Sequence, residues 1–255
     1  MSAGALSGID TAVLAGGLGT RIRPVLGDVP TVLAPVGGRP CLDPLLDWLA
    51  GQGAGRVVLC LGHLAGRVTA HLAATPRRDL DIVPVIEPEP LGTAGALRFA
   101  RTHLRTDPVL ALNGDTFLEA DLAAFVARHR AERAKISLMC VEVPSVARYG
   151  SVELDGAGRV GRFAEKAPVR DGAADRPGLV SGGMTLLSAG ALDDLAALSG
   201  PSFERDFLQV QPVGSILAGI AHGRFIDIGT PPSLARAAHV VPGAVPGTIR
   251  RQEPA

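Results

Sequence analysis

The sequence predicts an α/β fold, a mainly parallel sheet flanked by helices, with a small antiparallel extension in its second half. Three observations carry that expectation. Short apolar runs alternate with amphipathic segments between residues 11 and 143, the order that gives parallel strands joined by right-handed crossovers. The first run, Ala12 to Ala15, passes directly into a loop containing Gly16, Gly17 and Gly19, at the strand end where such sheets hold ligands. Beyond residue 150 the pattern changes to short segments around Asp155-Gly156-Ala157-Gly158, a hairpin signal.

In chain order, residues 1–10 read as a disordered start. After the glycine loop, residues 28–40 are punctuated by proline and therefore extended. Leu42, Leu45, Leu46 and Leu49 have helical spacing, closed by Gly51 and Gly53. Strands are expected over 56–61 and 81–86 around a helix over 64–74, and Gly92 with Thr93 opens the next helix. A strand over 109–112, a helix over 121–133 with Asp121 as its N-cap, and a strand over 135–143 follow. His129 falls at the polar edge of that helix's core stripe. The second half contributes strands over 151–154, 159–163 and 179–187, the last containing Gly182 and Gly183, as at a bulge or a close approach. Helices over 189–198 and 202–208, apolar segments over 215–221 and 225–228, and a helix from Pro232 to about Ala238 complete the domain. Residues 11–240 thus form one domain, followed by a disordered tail rich in proline and glycine over 241–255.

Composition excludes several functions. Lysine plus arginine and aspartate plus glutamate balance at 25 each, so neither nucleic acid nor an anionic membrane surface is an expected partner. Three cysteines, Cys41, Cys60 and Cys140, lie in apolar surroundings without metal-ligand spacing and read as buried, reduced thiols. No apolar run approaches membrane-spanning length and the first ten residues lack a signal-peptide pattern. A soluble cytoplasmic protein is the expectation. Of the 25 basic residues only Lys135 and Lys166 are lysines, which sets Lys166 apart in an arginine-rich chain.

The glycine loop has the chemistry of a phosphate cradle. Its glycines let backbone N–H groups approach a phosphate chain, and Arg21 adds a planar fork of donors. An ordinary glycine turn is the plainer reading. Glu87 follows the third strand, and one carboxylate accepts from both N1–H and the 2-amino group of guanine, whereas adenine N1 would repel it. Read alone, Glu87 is more readily a solvated loop residue. Asp115, in Asn113-Gly114-Asp115 after the fourth strand, is placed either to hold Mg²⁺ against a phosphate chain or simply to close an Asx turn.

Six ordered blocks, LAGGLGTRIRP, EPLGTAGAL, LNGDT, RYGSVEL, EK and FIDIGTP, resemble those of the sugar-1-phosphate nucleotidyltransferases over about Thr11 to Ala238. Within that family the wording is most similar to the D-glycero-α-D-manno-heptose 1-phosphate guanylyltransferases. The resemblance implies a Rossmann-like domain in which a sugar 1-phosphate attacks the α-phosphorus of a nucleoside triphosphate, with GTP favoured, and pyrophosphate leaves. Carried over residue by residue, Arg21 holds the triphosphate, and Leu14, Ala15, Gly16, Gly17, Gly19, Thr20, Thr93 and Asn113 surround the nucleotide. Glu87 and Gly92 form the base pocket. Asp115 and Asp227 bind Mg²⁺, Lys166 meets the sugar phosphate, and Tyr149, Gly150, Glu165, Gly182 and Glu204 line the sugar pocket. The resemblance leaves room for a homo-oligomer.

One departure matters. The family carries a lysine in a P-K-P segment after the glycine loop, and here that segment reads Pro30-Thr31-Val32. Loss of such a charge-assisted contact is worth about 2–4 kcal/mol, or roughly 10²–10³ in rate. Arg23 and Arg39 are the nearby substitutes in sequence. A regulatory protein that binds nucleotide sugars without turning them over is therefore the rival reading, although the retained acids argue against it. A Rossmann oxidoreductase fits poorly, because Gly17-Leu18-Gly19-Thr20-Arg21-Ile22 lacks the final glycine of the dinucleotide fingerprint.

Overall fold

The computed structural model describes residues 4–164 and 176–241. Its elements are β1 (Thr11–Leu14), α1 (Arg23–Leu26), β2 (Pro35–Val36), β3 (Arg39–Pro40), α2 (Leu42–Gly51), β4 (Arg56–Leu61), α3 (Ala65–Ala74), β5 (Asp81–Ile86), α4 (Gly92–Ala100), β6 (Val109–Asn113), β7 (Thr116–Leu118) and α5 (Leu122–Ala131). The second half adds β8 (Ile136–Val143), β9 (Ser151–Leu154), β10 (Val160–Ala164), β11 (Gly178–Leu187), α6 (Ala189–Ala196), β12 (Ile216–Ala221), β13 (Phe225–Asp227) and α7 (Pro231–Val240). The main sheet runs β5-β4-β1-β6-β11-β8-β12, in which β11 alone is antiparallel to its neighbours.

Alternation within each strand explains why helices cover both faces. Val13, Leu59, Leu110 and Leu112 turn towards α2, α3 and α5, where Leu42, Leu46, Val68 and Phe125 meet them. Ala12, Val58, Cys60 and Ala111 turn the other way, onto α4 and α6. The strand residues beneath α4 are small, and the helix offers Ala94, Ala96 and Ala100 to them. That helix therefore lies close to the sheet, which brings its first turn to the carboxyl end of β1.

The second half curls back on itself. Beyond its pairing with β6, β11 meets the β9–β10 hairpin at Leu179 and Val152, and Arg159 at the hairpin's turn bridges to Leu217 of β12. Arg159 also binds Glu132 at 2.7 Å, and Arg128 donates to the Ala218 carbonyl at 2.9 Å. The expected irregularity in β11 is real: pairing with β8 shifts between Ser181 and Met184, and Gly183 takes φ +72°.

Two expectations are corrected. Residues 4–10 are not a disordered start, because Leu6 is 0% exposed and Ile9 2%, and the Leu6 N–H donates to the Gln52 carbonyl at 2.9 Å. Two apolar side chains are enough to anchor the segment against α2. His129 is not at a polar edge either: it is buried, with Nδ1 2.7 Å from Ser137 Oγ, and burial lowers its pKa. The tail expected from residue 241 lies outside the described residues except for Val241, which is buried. No helix among the described residues is long and apolar enough to cross a membrane.

Candidate active site

Strand order places the site. The chain leaves β1 for β4 and β5 on one side, then returns to β6 on the other, so the sheet switches direction between β1 and β6. Such a switch opens a crevice at the carboxyl ends of those strands. The glycine loop leaves β1 there, and Asn113-Gly114-Asp115 leaves β6 beside it. The two turns touch: the Gly114 N–H donates to the Leu14 carbonyl at 2.8 Å, and a Cβ at Gly114 would fall 2.9 Å from that same oxygen.

A cleft of about 450 Å³ occupies the crevice, within the range of small-molecule sites. Leu14 to Arg21, Glu87, Gly92, Thr93, Asn113 and Asp115 all line it, so every residue expected to meet a nucleotide is brought together. Arg21 makes no hydrogen bond or ion pair with any described residue, leaving its donors for a ligand. Glu87 stands at the end of β5 with its carboxylate over Gly16 and Gly62, where position 62 has no room for a side chain. The Leu91 N–H points to Glu87 Oε2 at 3.4 Å, and burial raises the carboxyl's pKa.

The first turn of α4 has no side-chain cap. Its Ala94 N–H is already taken by the Pro201 carbonyl at 2.9 Å. Gly92 has φ +73°, and a Cβ there would strike the same carbonyl. Thr93 Oγ1 accepts from the Phe203 N–H at 2.8 Å and lies 3.3 Å from Glu204 Oε2. Glu204 thereby reaches a small recess beside the cleft, shared with Asn113, Ser181 and Gly183.

Asp115 and Asp227 are 112 positions apart in sequence, and a short antiparallel pairing unites them. Strand β13 runs against β7 with Asp227 opposite Thr116, and the Ile228 N–H donates to the Asp115 carbonyl at 2.9 Å. Burial, then the neighbouring charge of Asp227, raises the Asp115 pKa from 3.8 to about 6, while Arg21 opposes the rise. A Cβ at Gly229 would lie 2.8 Å from Asp227 Oδ1, 3.2 Å from Arg21 Nη2 and 3.5 Å from Asp115 Oδ2. Two acids and one guanidinium therefore converge on a single glycine. Two carboxylates drawn together at a loss suit a hard divalent cation that takes one or two protein carboxylates and completes its shell from phosphate oxygens and water. Among the described residues no group of three or more acids, histidines or cysteines gathers, so the two carboxylates are the protein's contribution to such a site.

Tyr149 lies edge-on to Phe225 at 5.5 Å, with the Arg148 guanidinium 5.3 Å from its ring centre. Arg148 donates to Thr230 Oγ1 at 3.2 Å and approaches Asp227 Oδ2 at 3.8 Å. Gly150, with φ +81°, turns the chain into β9. Gly182, expected in the sugar pocket, points its missing side chain at Leu118 in the core. Gly183 instead faces Asn113, where a Cβ would fall only 3.2 Å from Nδ2. Glu165 and Lys166 lie outside the described residues. Sequence reasoning marked Gly183 only as part of a bulge or close approach and gave no site role to Arg148 or Gly229. For Gly229 a signal was present, since it sits inside the FIDIGTP block.

Arg39, one of the two substitutes offered by the sequence for a lysine at position 31, does not line the cleft and pairs with Asp47 at 2.9 Å beside α2. Thr31 itself lines the cleft and abuts the loop, with its Oγ1 2.7 Å from where a Gly19 Cβ would be.

Comparison with known proteins agrees with this geometry. A family model described as nucleotidyl transferase matches residues 11–241. The D-glycero-alpha-D-manno-heptose 1-phosphate guanylyltransferase of Campylobacter jejuni is 31% identical, over 86% of this chain and 94% of that protein. The mannose-1-phosphate guanylyltransferase of Mycobacterium tuberculosis is 30% identical, over 95% of this chain and 67% of its own. Among solved structures, HddC from Yersinia pseudotuberculosis complexed with GMP-PN superposes with a TM-score of 0.78 at 32% identity, covering 90% of this chain and 97% of that one. By the extent of these matches, the chain belongs to the nucleotidyl transferase family.

Proposed function

We propose that this protein transfers a guanylyl group from GTP to a heptose 1-phosphate, releasing pyrophosphate and forming a nucleotide sugar. The observation that carries the reading is the convergence of Arg21, Asp115 and Asp227 beside a glycine loop at the sheet's switch point. A phosphate oxygen of the sugar phosphate attacks the α-phosphorus, and the α–β bridging bond breaks as pyrophosphate carries its electrons away. Arg21 and the loop N–H groups hold the phosphate oxygens as charge shifts onto the leaving group, the electrostatic work that dominates phosphoryl transfer. Asp115 and Asp227 would hold Mg²⁺. Bound there, the ion would draw charge from the phosphate oxygens and fix their orientation.

Glu87 supports guanine, since its carboxylate accepts from two donors on one edge of that base. Names of relatives support guanylyl transfer and a heptose 1-phosphate acceptor. Tyr149, Gly150, Glu204, Lys166 and Glu165 are assigned to the sugar through the sequence resemblance. The neutral Thr31 favours a second reading, a nucleotide-sugar binder without turnover. Pyrophosphate release with Mg²⁺, offering GTP, ATP, CTP, UTP and dTTP against heptose, mannose and glucose 1-phosphates, separates the two. Turnover with GTP and the heptose substrate supports the first, and binding without release from any pair supports the second.

A further inference from the structure

We propose that Arg23 is a second triphosphate-binding cation, reaching the phosphate chain around the glycine loop at the place where residue 31 is neutral. The proposal rests on the nucleotidyl-transfer reading of the cleft. Among the described residues lining that cleft Arg21 is the lone cation, while Glu87 and Asp115 also line it and Asp227 converges with Arg21 and Asp115 at Gly229. A triphosphate carries more negative charge than one guanidinium and one divalent cation can offset beside two carboxylates, so the site is short of positive charge.

Behind the loop lies a narrow recess that shares Gly17, Leu18, Gly19 and Thr31 with the cleft and adds Arg23. Gly17, Leu18, Gly19 and Thr31 thus have one side on each space. Arg23 is anchored to the loop through its backbone, its N–H donating to the Gly19 carbonyl at 2.9 Å. Its guanidinium is held by Asp28 at 3.3 Å, in a pair whose side chains are 59% and 65% exposed. Exposed pairs of that kind contribute little, so exchanging Asp28 for phosphate oxygens costs little, and a guanidinium binds those oxygens through a matching fork. Arg39, by contrast, lines neither the cleft nor the recess.

The test compares wild type, Arg23→Gln, Thr31→Lys and the double variant for pyrophosphate release with GTP, and for binding of inorganic tripolyphosphate by calorimetry. Arg23→Gln is expected to lower kcat/KM for GTP and tripolyphosphate affinity by roughly 10- to 100-fold. Thr31→Lys supplies the charge from the other side of the loop, so the double variant is expected to recover to within about threefold of Thr31→Lys alone. Asp28→Asn frees the guanidinium and leaves activity at least at the wild-type level. A folding defect in Arg23→Gln would not be rescued by a lysine at position 31, so recovery separates charge from structure. Unchanged affinity and turnover in Arg23→Gln, or a loss that Thr31→Lys fails to restore, overturns the proposal. A wild type that binds tripolyphosphate through Arg23 but turns over no substrate pair would instead overturn the catalytic reading.

Discussion

Replacing Asp115 by Asn is expected to stabilise the metal-free protein while abolishing its turnover. The Asp115 carboxyl is raised from 3.8 to about 6, so between about pH 4 and pH 6 the folded state binds more protons than the unfolded chain. Stability therefore falls as pH rises through that window, and at pH 7.5 the whole penalty is present. A rise of roughly two units corresponds to about 3 kcal/mol, and because Asp115 opens partly onto the cleft the expected gain from the neutral amide is about 1–3 kcal/mol. Urea unfolding of both proteins in EDTA at pH 7.5 and at pH 4 measures it: the variant should be the more stable at pH 7.5, with the two converging at pH 4. Saturating Mg²⁺ should close the gap from the other side by stabilising wild type alone, by about 2.7 kcal/mol at a hundredfold excess over Kd. A variant no more stable than wild type at pH 7.5 would refute the reasoning, because the two acids would then carry no strain for a cation to relieve.

Three further perturbations probe separate links. Glu87→Gln should reduce the preference for GTP over ATP in a competition assay, and unchanged selectivity would remove Glu87 from base recognition. Leu6→Ala should lower stability by about 2–5 kcal/mol, a fall of roughly 5–15 °C in Tm, whereas a shift under 1 °C would mean the first turn is not part of the core. Gly92→Ala forces an unfavourable φ and a collision with Pro201. It should cost about 1–3 kcal/mol and raise KM for the nucleotide, and a neutral result in both would contradict the tight packing of α4 at the site.

Much of this site was legible in the chain because its nucleotide half is built from local segments. Strands β1, β4, β5 and β6 end in turns whose glycines and acids can be read directly, and the βα alternation fixes that these ends lie on one side of the sheet. The acid pair was legible only through resemblance. Nothing in the local sequence around Asp227 shows that β13 pairs with β7, since the contact spans more than a hundred residues. The exchange of Gly182 for Gly183 had the same origin: a one-residue change of phase at the bulge sends one glycine to Leu118 and the other to Asn113. The N-terminal segment was misjudged because it has no periodic apolar pattern, while Leu6 and Ile9 pack into the core and buried Asp10 accepts from the Arg105 N–H.

The central claim is that this cleft joins a sugar phosphate to the α-phosphorus of a nucleotide. The most direct measurement supplies GTP, Mg²⁺ and heptose 1-phosphate labelled with ¹⁸O in its phosphate, and reads the products by mass spectrometry. The account predicts GDP-heptose retaining all of the label and pyrophosphate containing none. Label in the pyrophosphate, or release of GMP in place of pyrophosphate, would contradict it.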